Sequence, residues 1–290
     1  MPTEHGFISD LKYYSKKKRL LRYFYGEAMG LYYRTRYQLI PKLWLLTYGK
    51  LDNVLFYRFD ARRVLAKEFE DALRQPDGTL IRMGNYLIDK QQTFSEPPVV
   101  YSLGVLTDTS FDVAVAEHYD THVYLFDPAP IAADYISKNP HPQLTFFDYG
   151  VWTENTTTVF SCPEKEGRSP SMLMAHKGKK FTAECRTLED IMNSLGHENV
   201  DILKMDIEGA ALPILEDLVE KNRKLPTQIV VEFERYEAEI IQFCEFYVRV
   251  QKLMDAFTER GYQVYNLPRR YHKYNCLELL FTKRKSFTHQ

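Results

Sequence analysis

The 290 residues carry no excess of either charge: 38 Lys and Arg stand against 39 Asp and Glu, a formal net charge of -1. A surface that grips a nucleic-acid backbone needs a clear surplus of Lys and Arg, so no nucleic-acid partner is expected. Cysteine is sparse. Cys162, Cys185, Cys244 and Cys276 are scattered without CxxC spacing, which excludes a zinc knuckle or a dithiol redox site. Buried free thiols are the reading that remains, and they suit a reducing compartment. Long apolar runs are missing too. The most apolar stretch, residues 39–46, is far shorter than the roughly 20 residues that span a bilayer, so no transmembrane segment is expected. Lys16, Lys17, Lys18 and Arg19 make the N-terminus basic, but Arg22, Glu27, Arg34 and Arg36 keep the next stretch from forming an apolar core. That pattern does not read as a secretory signal, and a cytoplasmic protein is expected.

What is present is an ordinary globular composition, 44% hydrophobic and 27% charged, sufficient for one large domain with an extension. Residues 1–96 read as a helical N-terminal extension rich in Tyr, Arg and Lys, with Leu43, Leu46, Leu51, Val54, Leu55 and Phe59 at helix-like spacing. Tyrosines among basic residues could also touch a substrate, a membrane surface or a second subunit, so a homo-oligomer stays open. Pro97-Pro98 marks the break before the main domain, residues 97–290. Beyond it the chain alternates. Strands are predicted at 99–103, 122–126, 144–147, 202–205 and 228–233. Helices are predicted at 110–118, 131–138, 188–195, 210–220 and 243–260. Residues 156–160 and 181–185 read as added strands around a loop, and 262–266 with 276–282 as an antiparallel pair. Strands separated by helices imply an α/β fold with a mostly parallel sheet and helices on both faces.

In such sheets a ligand sits beyond the C-terminal strand ends, where strand order reverses. The first strand ends at Ser102-Leu103-Gly104, and Gly104 lets the backbone turn tightly toward a ligand. The second ends at Asp127, 23 positions after Gly104, about the spacing at which an acidic side chain accepts hydrogen bonds from ribose hydroxyls. Capping of the next helix is the alternative for Asp127. There is no GxGxxG, which close approach to a pyrophosphate requires; this loop suits S-adenosylmethionine better than a dinucleotide. Asp148 could bond the adenine amino group, with Tyr149 and Trp152 flanking the base or simply packing in the core. The most informative run is residues 201–210, DILKMDIEGA, where a strand ends on Asp206 and Glu208 just before a glycine and a helix. Carboxylates there are costly unless paired or used, although Glu208 could also complement the helix dipole. Glu232 and Glu234 close the next strand and could line the same crevice.

The segment from Ile202 to Gly209 resembles the LKxDxEG hallmark of FkbM-type methyltransferases. Residues 185–192 are similar to that family's TLDxI helix, and 199–202, 230–233, 101–105 and 126–128 resemble its neighbouring strands in the right order. The resemblance implies a Rossmann-like class I methyltransferase fold and an S-adenosylmethionine-dependent O-methyltransferase acting on a hydroxyl of a sugar or small metabolite. It assigns Gly104, Asp127 and Asp148 to the donor and Asp206 to the active centre; Ser102 and Tyr149 join the donor set. Arg168, Ser171, Glu232 and Glu234 are candidates for the acceptor. Leu106 stands where relatives carry a second glycine and could crowd the methionine end of the donor, and Glu234 stands where many have histidine.

Methyl transfer is an in-line displacement, so an enzyme chiefly aligns donor and nucleophile. Asp206, with Glu208 secondary, could accept the hydroxyl proton, or Asp206 could hold a Mg2+ ion that acidifies it; His176 and His272 are alternative bases. Two other classes stay open. One is a noncatalytic methyltransferase-like binding or scaffold protein with Leu106 closing the donor pocket. The other is a glycosyltransferase that reads Asp206 and Glu208 as a metal-binding pair.

Overall fold

The structure is a computed structural model and describes residues 69–94, 96–164, 169–173, 176–234, 240–267 and 276–284, with the side chains of 240–244 left aside. The expected helices of residues 1–68, Arg168 and His272 lie outside the described residues. The chain separates into two compact units, and the one that carries the expected domain comprises Arg74–Tyr236 and Leu253–Gln290. In the other, Phe69 meets Tyr247 edge-on at 4.8 Å between ring centroids.

Strands β1 (Leu80–Met83) and β2 (Tyr86–Asp89) form a hairpin. β3 (Val100–Leu103), α1 (Ser110–Tyr119), β4 (Val123–Phe126), α2 (Pro130–Lys138) and β5 (Leu144–Phe147) come next as alternating units. Three short strands, β6 (Gly150–Val151), β7 (Thr156–Ser161) and β8 (Lys180–Arg186), make a separate sheet in the order β6-β8-β7. The alternation resumes with α3 (Leu188–Leu195), β9 (Ile202–Met205), α4 (Ala211–Glu220), β10 (Gln228–Glu234), α5 (Ile240–Glu259), β11 (Tyr262–Asn266) and β12 (Cys276–Lys283).

The central sheet runs β11-β12-β10-β9-β3-β4-β5. Neighbours from β10 to β5 are parallel, and β12 is antiparallel to both β10 and β11. This is the class I methyltransferase arrangement expected from the sequence. The strands read as apolar on both faces because both are covered. On one face Val100, Val123, Leu125, Ile202, Val230 and Leu280 form one core with Phe111, Val115 and Ala116 of α1. The alternate residues Tyr101, Leu103, Leu203, Met205 and Val231 are buried as well.

Local chemistry sets the element ends. The Thr187 hydroxyl accepts from the Asp190 amide and caps α3, and Gly196 ends it in a left-handed turn (φ 72°). Pro130 opens α2, where its missing N–H costs nothing. Residues 80–89, expected within the helical extension, form the hairpin instead, and the compact unit begins at Arg74, ahead of the expected boundary at 97. Met83 and Ile88 enter the same core as β3 and β9. The wholly buried Gln228 side chain pairs with the Asp89 backbone, accepting from its amide at 2.8 Å and donating to its carbonyl at 2.9 Å.

Candidate active site

From β3 the chain builds outward through β4 to β5, then returns to build through β9 and β10, so strand order reverses between β3 and β9. The crevice at their carboxyl ends is the favoured ligand position in this architecture. Gly104, Asp127, Asp206 and Glu232 all come to it.

Gly104 is required there by space. At φ 81° a Cβ would collide with the Asp206 carbonyl oxygen, so the loop after β3 rests directly on the end of β9. Asp127, 6% exposed, is the loop's anchor. One carboxylate oxygen accepts from the Val105 and Leu106 amides, each at 2.8 Å, and the other from the Ala129 amide at 2.8 Å. Asp127 thus ties the Ala129 amide ahead of α2, whose first turn has no side-chain cap, to the glycine loop it shapes. Leu106 adopts φ 46°, a left-handed conformation that costs a branched side chain roughly 1–2 kcal/mol.

Asp206 is partly exposed at the end of β9. Its Oδ2 accepts a 2.8 Å hydrogen bond from the Tyr86 hydroxyl, donated by the hairpin. Burial, then the Asp206 charge, pushes the Tyr86 phenol well above its ordinary range. The Tyr86 ring meets Phe111 edge-on at 5.5 Å. Tyr86 is the residue that sequence reasoning missed. A lone Tyr in a short stretch of ordinary alternation carries no signal of its own, and only the hairpin's packing delivers it to Asp206.

Glu208 and Gly209 take successive left-handed conformations, φ 50° and 87°. Their amides converge on one carboxylate, that of Glu234, at 3.2 and 2.8 Å. Converging backbone N–H groups make an anion-binding concavity, and here the chain fills it with its own carboxyl. Burial and the charges of Asp206, Glu208 and Glu232 hold the Glu234 carboxyl well above the carboxylate range. Glu232 is raised to about 6, first by burial and then by Asp206. Glu232 thus stands beside the candidate base, whereas Glu234 is engaged with the 208–209 turn.

Other expected residues fall elsewhere. Ser102 is fully buried below the loop. Tyr149 is 7% exposed and packs on Phe126 and Phe147, with the Arg186 guanidinium 4.3 Å from its ring centre. Asp148 is exposed just beyond β5. Ser171 donates to the Glu208 carbonyl at 3.1 Å and exchanges two backbone hydrogen bonds with Ser161. The amide of His176 donates to the Ser161 hydroxyl, which ties that histidine to the β7 loop. Among the described residues no three His, Cys, Asp or Glu side chains are grouped to hold a metal ion.

Leu103, Phe126, Gly150, Pro170, Met172 and Ile207 line an apolar recess of about 40 Å³. Pockets that enclose drug-sized ligands measure about 300–1,000 Å³. The strand-end carboxylate, the glycine without room for a Cβ and the apolar recess fit the chemistry of an adenosyl sulfonium donor.

Comparison with known proteins bears on the same residues. Over 121 residues the chain is 29% identical to "Probable methyltransferase-like protein 24" of Homo sapiens, covering 41% of this chain. The match spans 28% of that relative's length. Among solved structures, the Precorrin-6y C5,15-methyltransferase of Geobacter metallireducens aligns with 10% identity over 78% of this chain and 88% of its own, at a TM-score of 0.35. The Methanococcus jannaschii fibrillarin pre-rRNA processing protein aligns with 10% identity over 70% of each chain, at a TM-score of 0.40. The model of the methyltransferase FkbM domain matches residues 102–264, more than half of the chain, and encloses Gly104, Asp127 and the whole 202–209 segment. This chain belongs to the FkbM methyltransferase family.

Proposed function

We propose that the protein is an S-adenosylmethionine-dependent methyltransferase that methylates a hydroxyl group of a sugar or small metabolite, with Asp206 as the general base. The observation that carries the reading is the pair of carboxylates flanking the loop after β3. Asp127, beyond β4, anchors that loop, and Asp206, beyond β9, stands on its other side.

S-adenosylmethionine, when bound, supplies an electrophilic methyl group on a sulfonium sulfur. Of the about four acceptor positions of a carboxylate, amides fill three on Asp127, which leaves one for a ribose hydroxyl. Asp206 Oδ2 is occupied by Tyr86, which leaves Oδ1 as the oxygen to receive the acceptor's proton as the oxygen–carbon bond forms. Glu232 sits beside it as a carboxyl of raised proton affinity. A cluster of carboxylates favours a neutral polyhydroxyl over a phosphorylated acceptor, since like charges repel in a low-dielectric crevice. No step calls on a metal ion. The scaffold alternative rests on Leu106, whose left-handed backbone keeps its amide on Asp127; binding of the donor decides between the two.

The test has two arms. Asp127→Ala is expected to weaken donor binding in calorimetry by about 1–3 kcal/mol, the scale of lost charge-assisted hydrogen bonds. Asp206→Asn is expected to leave donor affinity nearly unchanged while lowering turnover by about 10²–10⁴-fold. Failure of the wild-type protein to bind S-adenosylmethionine or S-adenosylhomocysteine would refute the reading. Normal turnover by Asp206→Asn would remove that residue from the mechanism.

A further inference from the structure

A lysine lies inside the central sheet. Lys204 is 4% exposed, in the middle of β9, between Ser102 of β3 and Val230 of β10 in the strand register. Burying an ammonium group is costly unless the surroundings answer its charge. Three groups do so. The Nζ donates to the carbonyl oxygen of Gly104. It stands 5.7 Å from the centre of the Tyr86 ring, within reach of the ring's negative face. Its charge also acts on Asp112 of α1, which is fully buried and has no hydrogen-bond partner on either carboxyl oxygen. The Ser102 hydroxyl faces the same carboxyl without closing a hydrogen bond. Burial pushes the Asp112 carboxyl up, and the Lys204 charge is the largest influence against that rise.

Gly104 is thereby held on every side. Its amide donates to the Phe126 carbonyl at 3.0 Å, its α-carbon rests on Asp206, and its carbonyl is drawn down into the sheet by Lys204. A carbonyl fixed toward the core leaves the next two amides turned toward Asp127. We propose that Lys204 is a positioning residue for the donor loop: from within the sheet it fixes the Gly104 peptide and sets donor affinity without touching the donor. The inference rests on the donor reading of the Gly104–Asp127 crevice.

Two readouts test it, one without any ligand. Lys204→Met keeps an apolar stem of similar reach and loses the donor group; Lys204→Gln, shorter and neutral, serves if the first variant does not fold. In hydrogen–deuterium exchange, the Val105 and Leu106 amides of the variant are expected to lose protection at least tenfold more than the strand amides of β3 and β9. In calorimetry, affinity for S-adenosylhomocysteine is expected to fall about tenfold. Val230→Ala, which loosens the strand on the other side of Lys204, is expected to lower the melting temperature and leave that affinity within twofold. Loop protection equal to wild type in a folded variant would overturn the proposal, as would an affinity loss in Val230→Ala matching that of the lysine variant. If the wild-type protein bound no S-adenosylhomocysteine, the donor reading would fall, while the exchange measurement would still decide whether Lys204 fixes the loop.

Discussion

Glu232 illustrates how far a residue's surroundings reset its chemistry. Its carboxyl is raised to about 6 from an ordinary 4.5 by burial and by Asp206. A carboxyl that binds its proton more tightly when folded stabilises the fold below its unfolded pKa and loses that contribution as pH rises through the folded value. The stability supplied by Glu232 is thus fully present below about 4.5 and gone above about 6. Glu232→Gln, which cannot ionise, is expected to raise the melting temperature relative to wild type at pH 7.5 and to give no advantage at pH 4. Melting curves at the two pH values check this, and an equal effect at both would show that the carboxyl is not strained by its neighbours.

The hairpin of residues 80–89 shows what one small element contributes. It places Met83 and Ile88 in the core and Tyr86 against Asp206. An isolated two-stranded hairpin is marginal in water, so its order derives from the sheet it covers, and the sheet in turn loses cover without it. A chain beginning at Pro97 is therefore expected to melt well below the 290-residue chain, because it uncovers α1 and the face of β10 and β12. Tyr86→Phe isolates the hydrogen bond from the packing: the ring remains on Phe111 while Asp206 Oδ2 loses its donor. Turnover is expected to fall about tenfold, near the cost of one hydrogen bond to a charged group, with donor affinity and melting temperature little changed. In the Asp206→Asn background the same substitution is expected to add no further loss. Additive losses in that double-mutant cycle would mean that Tyr86 acts elsewhere.

At the scale of the whole molecule, the balance of 38 basic against 39 acidic residues sets what the surface can attract. Neutralising several phosphates requires clustered Lys and Arg, and each contact makes affinity fall steeply with salt. Fluorescence anisotropy with a structured RNA at physiological salt is expected to show no binding tighter than the nonspecific range of about 10⁻⁴–10⁻⁶ M. Submicromolar, salt-sensitive binding would redirect the search for the acceptor toward nucleic acid. Among the described residues no helix is long and apolar enough to cross a membrane.

The alternation of strand and helix was legible from Val100 onward because buried parallel strands are short apolar runs between turn residues, and their ends are set locally. The ends of α2, α3 and β9 depend on Pro130, Thr187 with Gly196, and the glycine after Glu208. Gly104, Asp127 and Asp206 were legible for the same reason: each ends a strand of the sheet, and topology alone sends strand ends to one crevice. Partners across the fold were not legible. Whether Glu234 faces an acceptor or fills the 208–209 turn depends on two backbone angles. Whether Ser102 meets a ligand or lies beneath the loop depends on which face of β3 it occupies, and Tyr86 reaches Asp206 across 120 residues of chain. Local spacing determines where a strand ends; which side chain waits on the other side of that end is decided by packing between segments distant in sequence, and only the folded molecule contains it.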